Sequence, residues 1–345
     1  MKKLCHLLLF LVLSLSATGQ SVIFLHHSTG AGVWGGGIGI PQWITNYNTA
    51  HGKSYAVTEF SYPDSPYPWA NYPYDFWNLW VNPGQCDNNR PGIRCLDWFA
   101  SNYNVIIIKH CFPGADIQAD SGSPLVSSET KSIENYKLQY RALRTKMDGY
   151  PNNKFIVWTL APLHRNATNE QSAARAREFV NWVKNSWLTE DGHSHPNIYI
   201  FDFFGYAAES NPTPVNGKVN CLKYDYEGSH SGSDSHPNAT ANATIMPLFG
   251  QFIVDVINSQ TSAVNEQQEP ENAGILFYPN PANNQIKINE TEKIESVEIF
   301  DISGRLVKIF SLPENEINVS SLAKGTYIIR VNSGKKCRSS QLVID

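Results

Sequence analysis

His26-His27-Ser28-Thr29-Gly30 and Gly232-Ser233-Asp234-Ser235-His236-Pro237-Asn238 are the two segments whose residue types could do chemistry together. A hydroxyl is a weak nucleophile until a base takes its proton, and an imidazole titrating near neutrality suits that task. A carboxylate then fixes the imidazole tautomer and stabilises its charged form. Ser28, His236 and Asp234 supply that set. Plainer readings stand beside it. Ser28 can be a turn or cap residue, His236 a loop histidine, Asp234 a cap for a following helix and His26 packed core. A metal site is the rival reading, because His26, His27, His230 and His236 with Asp234 are the right types for a divalent ion such as zinc. Adjacent His26 and His27 in an extended segment face opposite ways, however, and H-E-x-x-H is absent. No metal is therefore assigned, and attack by an activated hydroxyl needs no cofactor.

Chemistry between these segments requires a fold that joins them. Residues 21–28 are an apolar run ending in polar residues, read as a buried parallel strand whose C-terminal end opens onto a site. Further strands are expected at 55–60, 104–109, 154–160 and 197–203. Helices are expected at 42–48, 132–147, 173–188 and 244–257, the last with Ile245, Leu248, Phe249, Phe252 and Val256 on one face. Alternating strands and helices predict a parallel sheet covered on both faces, with the ligand crevice beyond the carboxyl ends of the strands. Residues 61–92, rich in Pro, Tyr, Trp and Asn, read as a long functional loop. Within it Tyr62, Trp69, Tyr72, Tyr74 and Trp77 are candidates, with His27, to shape a substrate pocket. Exposed aromatics stack on sugar rings, but they also serve as loop anchors. Gly30, Gly32 and Gly35–Gly37 read as a turn that lets backbone crowd a substrate beside Ser28; the phosphate-loop patterns are absent.

The order of these blocks resembles the SGNH/GDSL hydrolase superfamily, which has a nucleophile serine after the first strand and Asp and His before the last helix. It is closest to a branch with HHS-x-G, K-x-CFP and DSHPN blocks, here His26–Gly30, Lys109–Pro113 and Asp234–Asn238. The resemblance implies a flavodoxin-like three-layer α/β/α fold and hydrolysis of carboxylic esters, acetyl groups on sugars or acyl chains on lipids among them. There are departures. His27 stands where the superfamily has Asp, and Ser233 stands three before the histidine, where its Asp usually lies. No Gly-x-Asn-Asp block supplies an oxyanion donor, and the second-block glycine has no counterpart. Lys109 and His110 are the side-chain candidates to fill the donor role, and the backbone N–H groups of Ser28 and Gly30 could line the pocket; without a replacement the loss is about 3 kcal/mol. The alternative is a surface carbohydrate-binding or adhesion protein that kept the scaffold without turnover.

The ends of the chain bear on location. Lys2, Lys3 and the apolar run Leu7 to Leu15, followed by Ala17-Thr18-Gly19, predict a signal peptide over 1–19. At the other end, Tyr278-Pro279-Asn280-Pro281, Asp301-Ile302-Ser303-Gly304-Arg305 and Gly325-Thr326-Tyr327 resemble the turns of the type IX secretion system type A C-terminal sorting domain. That resemblance implies a small all-β sandwich over 275–345, recognised by the secretion machinery, and a secreted or cell-surface protein. It leaves 20–259 as cargo and 260–274, polar and aperiodic, as a linker. No transmembrane segment is expected in the mature protein. A net charge of −4 without a basic block argues against nucleic acid as a partner. In an oxidising compartment Cys86 and Cys95, flanking a turn-rich loop, are the best local pair; Cys111 and Cys221 pair only if the fold joins them, and Cys337 is left over.

Overall fold

The computed structural model describes residues 19–259, 277–288, 293–301, 306–311, 315–333 and 336–345. The predicted signal peptide (but for Gly19), the linker, the turn 302–305 and the side chain of Cys337 lie outside them. The described residues fall into two units, 19–259 and 277–345.

The first unit is built on β1 (Ser21–His26), β2 (Ala56–Ser61), β3 (Val105–Ile108), β4 (Lys154–Trp158) and β5 (Ile198–Phe201). All pair in parallel, in the order β2-β1-β3-β4-β5. The runs of β1, β3 and β4 are nearly all apolar because both faces are covered there, while the edge strand β2 is largely exposed. Along β1, Ile23 and Leu25 enter one core while Val22 and Phe24 enter the other, as a period of two demands. The helices are α1 (Thr29–Trp34), α2 (Ile40–His51), α3 (Pro73–Trp80), α4 (Leu96–Asn102), α5 (Ile133–Asp148), α6 (Glu170–Asn185), α7 (Phe203–Ala207) and α8 (Ala239–Asn258). α1, α2 and α8 cover the Phe24 side; α3 to α6 cover the Leu25 side. In this doubly wound sheet the strand order switches between β1 and β3, and the ends of those two strands are where such sheets place their ligands.

Three sequence expectations need correction. Residues 61–92 are not one loop. They contain α3, with Pro73 at its start, Asp75 reaching back to the N-terminus and Phe76, Leu79 and Trp80 buried. The glycine stretch forms α1 rather than a substrate-crowding turn. A Cβ on Gly36 would stand 2.5 Å from the backbone oxygen of Asn242, so this glycine admits α8, not a ligand. Finally, α8 starts at Ala239, capped by Asn238, whose side chain accepts from the Ala241 N–H. Leu248 is 42% exposed, and the buried face is Ile245, Met246, Phe249, Ile253 and Val256. By length and composition α8 could cross a membrane, but half of it is buried inside this unit, as in a core helix.

Asp75 yields a pH prediction. It is 2% exposed and accepts from the N–H groups of Ala70 and Tyr72 at 2.9 and 3.3 Å. Burial raises its carboxyl from 3.8 to about 6 against those donors. A folded state that holds the proton more tightly than the unfolded chain loses stability as pH rises between the two values. The unfolding temperature of wild type relative to Asp75→Asn is therefore expected to fall from pH 4 to pH 6. Equal slopes for the two proteins would refute it.

Cys86 and Cys95 form a disulfide across a separation of 9 residues, just before α4. Closing so short a loop stabilises by about 2–3 kcal/mol. The double variant Cys86→Ser/Cys95→Ser is expected to lose that much in denaturant unfolding. Cys111 and Cys221 are buried free thiols and do not pair.

The second unit has β6 (Phe277–Tyr278), β7 (Gln285–Ile288), β8 (Ile294–Asp301), β9 (Leu306–Ser311), β10 (Glu316–Asn318), β11 (Gly325–Ser333) and β12 (Lys336–Ile344). They form two antiparallel sheets, β10-β7-β6 and β12-β11-β8-β9. Alternate residues such as Ile286, Ile288, Val297, Ile299, Ile329 and Val331 share one core.

Candidate active site

Ser28 lies two residues past the end of β1, at φ 51° and ψ −101°. A non-glycine residue at positive φ costs on the order of 1–3 kcal/mol and persists only where its surroundings enforce it. Here the enforcement is close packing. A Cβ on Gly30 would stand 2.6 Å from His26 Cβ, so glycine lets α1 begin directly above the strand end. His26 is 4% exposed and bonds Glu59 at 2.9 Å; burial first, then the charge of Lys109, lowers its pKa to about 3.

The histidine arrives on the loop before α8. Ser28 Oγ and His236 Nε2 are in direct hydrogen-bond contact. His236 Nδ1 lies 2.5 Å from Asp234 Oδ1, which also accepts from the His236 backbone N–H at 3.2 Å. With the Nδ1 proton held by Asp234, Nε2 is left to accept from the hydroxyl. Bonding from the His236 ring holds the Asp234 carboxyl below its usual range. The side chains of His236 and Asp234 are 46% and 71% exposed, so the site opens to solvent.

Buried contacts fix this loop. The Ser235 hydroxyl accepts from the His164 N–H at 2.8 Å, and Asn166 donates to the Gly232 carbonyl at 2.8 Å. Behind them the buried Glu227 meets Arg165, His230 Nδ1 at 3.0 Å and His164 Nε2 at 3.2 Å. His26 and His27 diverge, and His230 turns to Glu227, so the four histidines do not converge on one point. Among the described residues no group of His, Cys, Asp and Glu could hold a metal.

The remaining candidates divide. His27 stacks on Trp69, with ring centroids 3.7 Å apart and planes 12° off parallel, and its Nε2 lies 2.5 Å from the Pro63 carbonyl. Trp69 is 38% exposed. Phe112 sets its ring edge against His236 at 4.9 Å; it lies in the Lys109–Pro113 block, but no spacing rule singles it out. Tyr62, Tyr72 and Trp77 belong to the core instead. The Tyr62 hydroxyl donates to the Arg94 carbonyl and accepts from Trp80, both at 2.7 Å, and the residue is fully buried, out of a ligand's reach. The oxyanion candidates also change. His110 is buried between the rings of Phe76 and Tyr140, away from the crevice. The Gly30 N–H is taken by the His27 carbonyl at 2.9 Å. Lys109 Nζ points at that same carbonyl, not at the crevice.

The secretion system C-terminal sorting domain model matches residues 276–345. The C-terminal unit is a type IX sorting domain. It implies export across the outer membrane to the cell surface or medium, and an encounter with the type IX machinery. Among solved structures, the chain is similar to PorZ, an essential surface component of the type IX secretion system of Porphyromonas gingivalis. That likeness has 23% identity over 21% of this chain and 11% of PorZ, at a TM-score of 0.19. It is also similar to a carbohydrate esterase whose active site displays divergent catalytic and non-catalytic binding functions (13% identity, 68% and 65% of the two chains, TM-score 0.32). A third likeness is to the endo-β-1,4-mannanase from Thermotoga petrophila (10% identity, 89% and 60%, TM-score 0.23). The chain spans less than two thirds of each of these structures. Comparison with curated protein sequences gives no match.

Proposed function

We propose that the N-terminal unit is a serine hydrolase of the flavodoxin-like SGNH type, cleaving acetyl or acyl esters on carbohydrate. The observation that carries this reading is the unbroken hydrogen-bonded chain Ser28–His236–Asp234 at the crevice between the ends of β1 and β3. Ser28 Oγ attacks the ester carbonyl while its proton passes to His236 Nε2. Asp234 holds the other ring nitrogen and stabilises the imidazolium. Collapse expels the alcohol, which takes the proton back from His236, and water repeats the sequence on the acyl-serine. The flat His27–Trp69 stack, the edge of Phe112 and the solvent exposure of His236 and Asp234 favour a sugar chain over a deeply enclosed acyl tail. Export outside the cell is consistent with a polymeric substrate.

The test uses the full chain. A fluorophosphonate adduct mapping to the peptide containing Ser28, with acetate released from an acetylated polysaccharide, is expected. No adduct together with no turnover of p-nitrophenyl acetate would reject the enzyme. The second reading, a carbohydrate binder without turnover, is favoured by the engaged Gly30 N–H and the absent Asn donor. Polysaccharide binding without acetate release would support it.

A further inference from the structure

The carbonyl oxygen of His27 gathers three donors: the Gly30 N–H at 2.9 Å, Lys109 Nζ at 2.9 Å and the Cys111 thiol at 3.4 Å. Lys109 is wholly buried; its Nζ also touches Cys111 Sγ at 2.8 Å, and among the described residues it pairs with no carboxylate. Burial lowers the pKa of Lys109, and the Cys111 sulfur beside it opposes that shift; burying an amine with no carboxylate to pair it is costly, and core packing alone gives no reason to keep one. The carbonyl of His27 and the N–H of Ser28 belong to one trans peptide and point in opposite directions. With the carbonyl anchored inward, the N–H of Ser28 is turned outward, where it meets no acceptor among the described residues.

We propose that Lys109 is a positioning residue for the oxyanion site, fixing and polarising the His27–Ser28 peptide so that its N–H is a stronger donor. This rests on the ester-hydrolase reading. A cation on an amide oxygen draws electrons through the amide and leaves the N–H more positive, the effect by which linked hydrogen bonds strengthen one another. The device offsets part of the loss of a side-chain oxyanion donor. Lys109 does this without touching the substrate, and the Cys111 sulfur orients its Nζ.

The test is Lys109→Met in the full chain, with p-nitrophenyl acetate and with the rate of fluorophosphonate labelling. Removing one oxyanion donor costs about 10²–10³ in kcat, and weakening one should cost less. The expected result is a fall in kcat of roughly ten- to hundredfold, KM within about twofold of wild type, and labelling slowed by the same factor as kcat. In Lys109→Ala, propylammonium restores part of kcat and propan-1-ol does not, because the alcohol fills the space and bonds the carbonyl but carries no charge. Should Lys109→Met fail to fold, Lys109→Ala refolded with propylammonium supplies the same comparison. Wild-type kcat in folded Lys109→Met, loss proportional to the unfolded fraction, or equal rescue by propan-1-ol overturns this inference alone. A wild-type protein that neither labels nor turns over ester overturns it together with the hydrolase reading.

Discussion

Ser28→Ala is expected to abolish fluorophosphonate labelling and to lower ester turnover by at least about 10⁴-fold. Loss of the nucleophile in a well-studied serine hydrolase costs about 10⁶ in kcat, the residue being what binding and the oxyanion site supply without it. The change is small in folding terms. Alanine accepts the same strained φ at a similar cost, and among the described residues the hydroxyl's side-chain hydrogen bond is with His236. The unfolding temperature should therefore stay within a few degrees of wild type while kcat collapses. A variant that still takes up the probe would show that the reactive hydroxyl lies elsewhere.

The second large effect concerns the carboxylate. Asp234→Asn keeps an oxygen near His236 Nδ1 but removes the charge that favours the imidazolium, and it allows the wrong tautomer. A buried carboxylate in this role is worth about 10⁴ in kcat. Asp234 is 71% exposed, so water screens it, and the expected fall is about 10²–10³. Ser233→Ala, at the position where the SGNH superfamily usually carries its Asp, should leave kcat/KM unchanged. If the two variants behave alike, Asp234 does not orient His236.

Much of the scaffold could be read from the chain. β1, β3 and β4 announce themselves because the middle of a sheet buried on both faces needs unbroken apolar runs such as Val105–Ile108. α5, α6 and α8 carry long apolar stripes. What escaped detection were helices whose local signals are weak or misleading. α1 (Thr29–Trp34) is made largely of glycine and small residues that report no helical preference; it forms because nothing bulkier than glycine fits between His26 and Asn242. α3 is disguised by Pro, Tyr and Trp, residues that also mark loops, and close packing in the core decides the matter.

At the site, the contact of Ser28 with His236 and Asp234 follows from the topology rule that strand ends meet at one edge. The directions of the candidate donors Lys109, His110 and Gly30 did not follow, because which way a side chain or an N–H points is set by tertiary packing. Lys109 turns to a carbonyl, His110 into the aromatic core, and the Gly30 amide closes a turn. The aromatic loop shows the same limit. Trp69 stays at the surface against His27, while Tyr62, Tyr72 and Trp77 are drawn inward by partners no local pattern names.

Ser28 and His236 are 208 positions apart along the chain. A link of that span forms after the local ones, because the intervening polypeptide must first give up its freedom. The serine of a half-made molecule is thus an inert alcohol, whatever its neighbours in sequence. On the proposed hydrolase reading, reactivity at that hydroxyl requires that these two distant segments have met, which would make a covalent serine probe a gauge of how much exported material arrives folded.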